Sequence, residues 1–175
     1  QFPMFASSSF STKSELSTLL ESKIKQTMVS DVPLGAFLSG GYDSSCVVAF
    51  MQKNSVKKIK TFSIGFDQKI YNEAEHAKEI SDILGTEHNE LYLSKNDLLD
   101  TISSLPSIYS EPFADSSQIP TVLLSKLTKS QVTVSLSGDG GDELFGGYGK
   151  YFLGERIKQS LRPIPSGLRR GLKNL

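Results

Sequence analysis

Cysteine occurs once in this chain, at Cys46, which excludes an internal disulfide framework and fits a reducing compartment. Charge of one sign is missing too. The 19 basic residues balance the 19 acidic ones, which argues against a nucleic-acid or membrane-surface partner reached through a bulk basic face. Neither an apolar run of about 18 residues nor a basic start with a long apolar centre occurs, so no spanning helix and no signal peptide are expected. The expectation is a cytoplasmic protein with no nucleic-acid and no membrane partner. An initial methionine is also absent, the first residue being Gln1, and the reading is a segment of something longer. What is present, 38% hydrophobic and 22% charged residues, makes one globular domain or a large piece of one.

In chain order, residues 1–12 are rich in Ser and Phe without a period and read as a linker or arm. Leu16, Leu19, Leu20, Ile24 and Met28 recur at helical spacing and predict a helix over 14–28 with Ser14 as its cap. Asp31-Val32-Pro33 ends it and launches a strand over 34–38. A helix over 44–54 is apolar nearly all round, from Cys46 to Met51, and is expected to be buried. Cys46 reads there as a small core residue, not a nucleophile. A second strand covers 60–66, an amphipathic helix 72–84 with Gly85 as its C-cap, a third strand 87–93 and a helix 95–105. After the connector SIYSEPFADSSQIP, a helix over 121–129 precedes a period-two strand, 131–137. Four strands alternating with helices imply right-handed crossovers and a three-layer α/β fold, a mostly parallel sheet with helices on both faces. The domain plan is a linker and leading helix (1–30), a core (31–160), and a basic, truncated tail (161–175).

Chemistry concentrates in Leu34 to Ser45, LGAFLSGGYDSS. An apolar run that ends in glycines and flows into a helix is the form of a buried strand whose turn holds an anion. The glycines let the backbone approach phosphate oxygens, and the helix dipole faces them. No lysine stands between Ser39 and Ser45, so this is not a Walker-type loop that passes on a terminal phosphate. The plain alternative is a tight turn without a ligand, but the flanking serines and Asp43 favour phosphate. The last strand empties into Gly138-Asp139-Gly140-Gly141-Asp142-Glu143. In parallel sheets ligands bind beyond the carboxyl ends of the strands, where the strand order reverses. Asp43 stands four residues past Ser39 and Asp142 five past Ser137. If those strands are neighbours, two carboxylates line a polyphosphate cradle, and magnesium bound between them removes the repulsion. The alternative for each aspartate alone is a helix cap.

SGGYDSS resembles the pyrophosphate-binding loop of the ATP pyrophosphatase superfamily. SGDGGDELFGGY together with EPFADSSQIP resembles the synthetase domain of glutamine-dependent asparagine synthetases, over about residues 31–148. The resemblance implies an adenine nucleotide alpha hydrolase-like fold, a parallel sheet of five strands in 3-2-1-4-5 order. It implies ATP and Mg2+ as cofactors, adenylation of the side-chain carboxylate of aspartate or a similar acceptor with release of pyrophosphate, and attack of ammonia to give an amide and AMP. By the same resemblance Ser39, Gly40, Gly41, Ser44 and Ser45 hold phosphates. Leu38 (or its neighbour Phe37), Ile64, Ser137 and Gly138 contact adenosine, Asp43 and Asp142 bind the metal, and Asp139 takes the proton from ammonia. Housekeeping members have a glutamate where Asp139 stands, one methylene longer. The ammonia-supplying glutaminase domain is absent from this stretch, and a homodimer is the assembly expected.

Two other readings stay open: a relative that amidates or cyclises another carboxylate, such as a sugar acid or amino-acid derivative, and a nucleotide-binding module without catalysis. His76 and His88 have no second ligand at metal spacing. Glu111 and Asp115 either recognise the acceptor or cap the following helix. Tyr42 either covers the phosphates or packs outward.

Overall fold

The computed structural model describes residues 12–66, 73–112 and 114–162. Most of the Ser- and Phe-rich arm, the start of the helix expected from residue 72, and the tail beyond 162 lie outside the described residues.

The first helix, α1 (Lys13–Thr27), is capped by Thr12 and not by Ser14. Thr12 has extended backbone, and its hydroxyl accepts from the Glu15 N–H at 3.3 Å. Ser14 already lies inside the first turn, where a side chain can no longer reach forward to the free donors. Strand β1 (Leu34–Phe37) runs into α2 (Tyr42–Lys53), β2 (Lys60–Phe66) into α3 (Ala74–Leu84), and β3 (Glu87–Leu93) into α4 (Lys95–Ile102). The helix expected over 95–105 breaks in two. A reciprocal Ser94–Asp97 capping box starts α4, and a separate turn, α5 (Leu105–Ile108), carries Pro106 in its first turn. The next helix, α6 (Gln118–Lys129), begins three residues before the expected 121, because Pro120 is tolerated where its N–H is not needed. Strand β4 shrinks to Val134–Leu136. Gln131 and Val132 instead close the C-terminal turn of α6 onto the Thr128 carbonyl, at 3.0 and 2.9 Å.

The four strands among the described residues form one sheet in the order β3-β2-β1-β4, and every pair is parallel. A fifth strand does not occur among the described residues. Ala36 and Leu38 turn to the face covered by α2 and α3, where they join Val48, Met51 and Ala77, with Ile24 of α1 closing the cluster. Phe37 and Phe62 face the other way, toward Pro120, Leu124 and Val132. Helix α2 is not buried all round as expected. Its buried residues, Ser44, Val48 and Met51, form a stripe at helical spacing, and Cys46, two residues past Ser44, points away and is exposed. No helix of the described residues is long and apolar enough to cross a membrane.

The chain divides after Gly138 into two compact units. The second holds α7 (Gly141–Phe145), closed by Gly146 in the left-handed region, and α8 (Gly149–Leu161).

Candidate functional site

The strand order reverses at β1, whose neighbours are β2 on one side and β4 on the other. The loop from Ser39 to Gly41 sits at that point. Gly40 has φ +83°, and a Cβ on it would lie 2.9 Å from both the Ala77 N and the His76 Cβ. Any side chain is therefore excluded on conformation and on space. The serines hold the loop. The Ser44 hydroxyl donates to the Gly41 carbonyl at 3.2 Å, so in its 2.9 Å contact with Ser39 Oγ it accepts. It also accepts from the Ser39 N–H at 3.2 Å, while Ser39 Oγ accepts from the Gly41 N–H at 3.3 Å.

These hydroxyls are thus engaged with the loop itself. The donors the loop presents are the backbone N–H groups of Tyr42, Asp43 and Ser44, which open α2 and have no carbonyl one turn earlier to bond. No side chain caps that end of α2. Gly138, just past β4, packs against it so closely that a Cβ would lie 2.6 Å from the Ser44 N. At the next residue of α2, the Ser45 hydroxyl is buried without a hydrogen-bond partner. Free amide donors at a helix start are a place where an anionic ligand binds, and a buried hydroxyl without a partner calls for an explanation.

Beside the loop lies a cavity of about 190 Å³ lined by Leu38, Ser39, Ser63, Ile64, Glu73 and Thr121 among others. The structure therefore gathers Ser39, Gly40, Gly41, Asp43, Ser44, Ser45 and Gly138 around one helix end, and Leu38, Ser39 and Ile64 around the cavity. Leu38 is 1% exposed and mostly a core residue. Ser137, between β4 and Gly138, does not line the cavity. Sequence reasoning missed Ser63, Glu73 and the α6 residues Pro120, Thr121 and Leu124. The signal for α6 was present in the proline-bounded SSQIP stretch that starts it.

In the second unit Asp142 and Glu143 lie in the first turn of α7, and Asp139 precedes it. The Gly147 N–H donates to the Asp142 carbonyl at 3.0 Å. The Tyr148 hydroxyl donates to Glu143 Oε1 at 2.6 Å. That bond pushes the Tyr148 phenol up to about 12 and holds the Glu143 carboxyl below the ordinary range.

Tyr42 is 97% exposed and packs outward. Asp115 acts as a local cap, its Oδ1 accepting from the Ser117 N–H at 2.8 Å just before α6. Local desolvation, and then Asp43, push the thiol of the otherwise exposed Cys46 up, away from the thiolate a nucleophile needs. His76 is exposed on α3. No group of three or more His, Cys, Asp or Glu at metal-binding geometry occurs among the described residues. Asp43, in the first turn of α2, is a carboxylate of the kind magnesium takes together with phosphate oxygens and water.

The family model described as asparagine synthase matches residues 15–174. A Methanocaldococcus jannaschii protein, provisionally named asparagine synthetase, glutamine-hydrolyzing, 2, is 45% identical over 152 residues, covering 86% of this chain and 29% of its own. Asparagine synthetase, glutamine-hydrolyzing, 1 of Bacillus subtilis is 43% identical over 148 residues, covering 83% of this chain and 23% of its own. The chain thus spans less than a third of the length of these curated relatives. In fold it is similar to NMN synthetase from Francisella tularensis, with a TM-score of 0.55 and 17% identity over 78% of this chain and 58% of that one. It is likewise similar to the NH3-dependent NAD synthetase of Campylobacter jejuni, with a TM-score of 0.53 and 16% identity over 78% of this chain and 60% of that one.

Proposed function

Since the chain belongs to the asparagine synthase family, we propose that it is the ATP-binding core of a ligase that turns a carboxylate into an amide. The acceptor is the side chain of aspartate, and the products are asparagine, AMP and pyrophosphate. Family membership and the names of the relatives support the reaction class. The observation that carries the site is the open end of α2, where three backbone N–H groups, the unpartnered Ser45 hydroxyl and the side-chain-free approach of Gly138 make an anion cradle without a lysine.

In this reading the amides of Tyr42, Asp43 and Ser44 bind the β- and γ-phosphates as one departing unit, and the α2 dipole receives the charge that grows on it. Leu38, Ile64 and the cavity beside them take the adenosine, with Ser137 and Gly138 on the β4 side. Asp43, and by the family resemblance Asp142, would hold magnesium, which would neutralise the triphosphate. Asp139 takes the proton from ammonia as it attacks the activated carboxylate. Ammonia comes from a glutaminase partner, as the relatives' glutamine-hydrolyzing names suggest. Residues 31–160 make up the working domain, and a homodimer is the proposed assembly.

The test is the position at which ATP breaks. In the intact protein, AMP and pyrophosphate are expected in step with each amide formed, with oxygen label passing from the acceptor carboxylate into AMP. Exchange of labelled pyrophosphate into ATP, screened over candidate acids, identifies the acceptor. ADP as the stoichiometric product overturns the reading.

A further inference from the structure

His88, on β3, stands in register with Thr61 of β2, and its side chain is 9% exposed. Four hydroxyls surround or extend from its ring, and their bonds form a chain in which proton ownership can be counted. Thr86 Oγ1 donates to Ser81 Oγ at 2.8 Å. A hydroxyl has a single proton to give, so in the 3.1 Å contact between Thr61 and Thr86 the donor is Thr61. With that proton committed, the 2.9 Å contact between Thr61 Oγ1 and His88 Nδ1 requires the hydrogen to sit on Nδ1. The other nitrogen of a neutral ring is then an acceptor, and Ser63 Oγ donates to Nε2 at 3.2 Å. Thr61, Ser63, Ser81 and Thr86 are all buried.

This chain ends on a residue of the cavity wall, the Ser63 hydroxyl being turned to His88 on the face of the sheet opposite Phe62. Ser63 lines the 190 Å³ cavity next to Ile64, and the Phe62 carbonyl between Thr61 and Ser63 accepts from the Leu38 N–H at 2.9 Å. The ring also has a second partner waiting. Glu90 Oε1 is buried, makes no hydrogen bond, and lies 3.5 Å from Nε2. A neutral ring has no hydrogen on Nε2 to offer it. A charged ring has one, and cannot at the same time accept from Ser63.

The groups acting on the ring are Glu90 from β3 and Asp82 and Lys78 from α3, while β2 contributes the neutral Thr61 and Ser63, and Tyr92, also on β3, hydrogen-bonds Glu90. Burial is the strongest influence and holds the imidazole below the ordinary histidine range. Glu90 and Asp82 oppose it, and Lys78 adds to it.

We propose that His88 is a positioning residue for the nucleotide cavity, fixed as its Nδ1–H tautomer, and that protonation makes it exchange Ser63 for Glu90 and loosens the β2 wall of the cavity. The proposal rests on the nucleotide reading of that cavity. Its effect is on ATP binding, since no reacting atom is touched.

The experiment uses the intact protein with nitrogen-15-labelled histidine, the His88 signals being assigned by their loss in His88→Asn. At neutral pH the ring should give the Nδ1–H pattern. As the pH falls through its titration, KM for ATP should rise about five- to tenfold, the worth of a buried hydrogen bond to a wall residue, with kcat at saturating ATP nearly constant. Glu90→Gln removes the charge that favours the protonated ring, so both the NMR titration and the KM transition should move together to lower pH. His88→Asn keeps a donor toward Thr61 and cannot titrate, so its KM should stay flat in acid. An Nε2–H ring at neutral pH, an unaltered KM transition in His88→Asn, or an upward shift in Glu90→Gln each overturns the proposal. Absence of ATP binding at every pH overturns the nucleotide reading instead, while the ring's tautomer and its Glu90-dependent titration still decide the exchange by themselves.

Discussion

Replacing Gly138 by alanine places one methyl group between the end of β4 and the start of α2. The Cβ would lie 2.6 Å from the Ser44 N and 3.0 Å from both the Asp43 carbonyl carbon and the Ser44 Cα, against the 3.4 Å at which ordinary contact begins. All three are backbone atoms, so no rotamer change relieves the clash, and the two segments must part by about 0.8 Å, the difference between 3.4 and 2.6. Overpacking of this kind costs about 1–3 kcal/mol of stability. The same movement carries off the amide donors of the cradle. A hydrogen bond to a charged group is worth about 1.5–3 kcal/mol, so loss of one raises KM for ATP about 10- to 100-fold. Urea unfolding and initial-rate kinetics on the intact protein measure the two effects. Gly85→Ala is the control. Gly85 has φ +71° with nothing within 4 Å of its added Cβ, so that variant should lose about 1 kcal/mol of stability from backbone strain and keep its KM. Gly138→Ala with wild-type stability and wild-type KM for ATP would refute the close approach of β4 to the cradle.

Two further outcomes follow from the same site. Ser45→Ala removes a buried hydroxyl that has no partner, so without nucleotide the variant should unfold at higher urea, by about 1 kcal/mol, while its KM for ATP rises; a loss of stability would show that the hydroxyl is satisfied within the fold. Asp139→Asn should leave pyrophosphate exchange intact and slow amide formation on the order of 10²–10⁴-fold, the worth of a placed general base, and equal loss in both half-reactions would instead move Asp139 into the ATP site.

Much of this architecture is legible in residue order because each βα unit is local. The run over 60–66, the run over 87–93 and the apolar spacing of α3 carry their own period, and β2 and β3 fall on those residues. Where neighbours decide, the periodicity misleads. Residues 131–133 alternate like a strand, yet Gln131 and Val132 bond back to Thr128. The apolar surround of α2 hides the fact that its buried stripe leaves Cys46 outside. The glycine turn between β1 and α2 was visible because glycines and a missing lysine are one-dimensional signals. The partnership of His88 with Thr61, Ser63 and Glu90 was not, because it depends on the register between two strands and on which hydroxyl owns which proton.

The order of the sheet also sets the order in which the site can come into being. Gly35 pairs with Lys60, 25 residues along the chain, and Lys60 with Glu87, 27 further on, but Gly35 also pairs with Ser135, 100 residues away. Closing a loop four times longer costs only about 1.2 kcal/mol more, yet pairings between distant segments form slowly. The shorter loops favour assembly of the β1–β2–β3 half of the sheet first, with the first glycine turn in place before β4 brings Gly138 against it. Until that last strand docks, the folding chain has half a cradle and one open edge on β1. On the proposed function, ATP would bind only after docking and would hold that step closed.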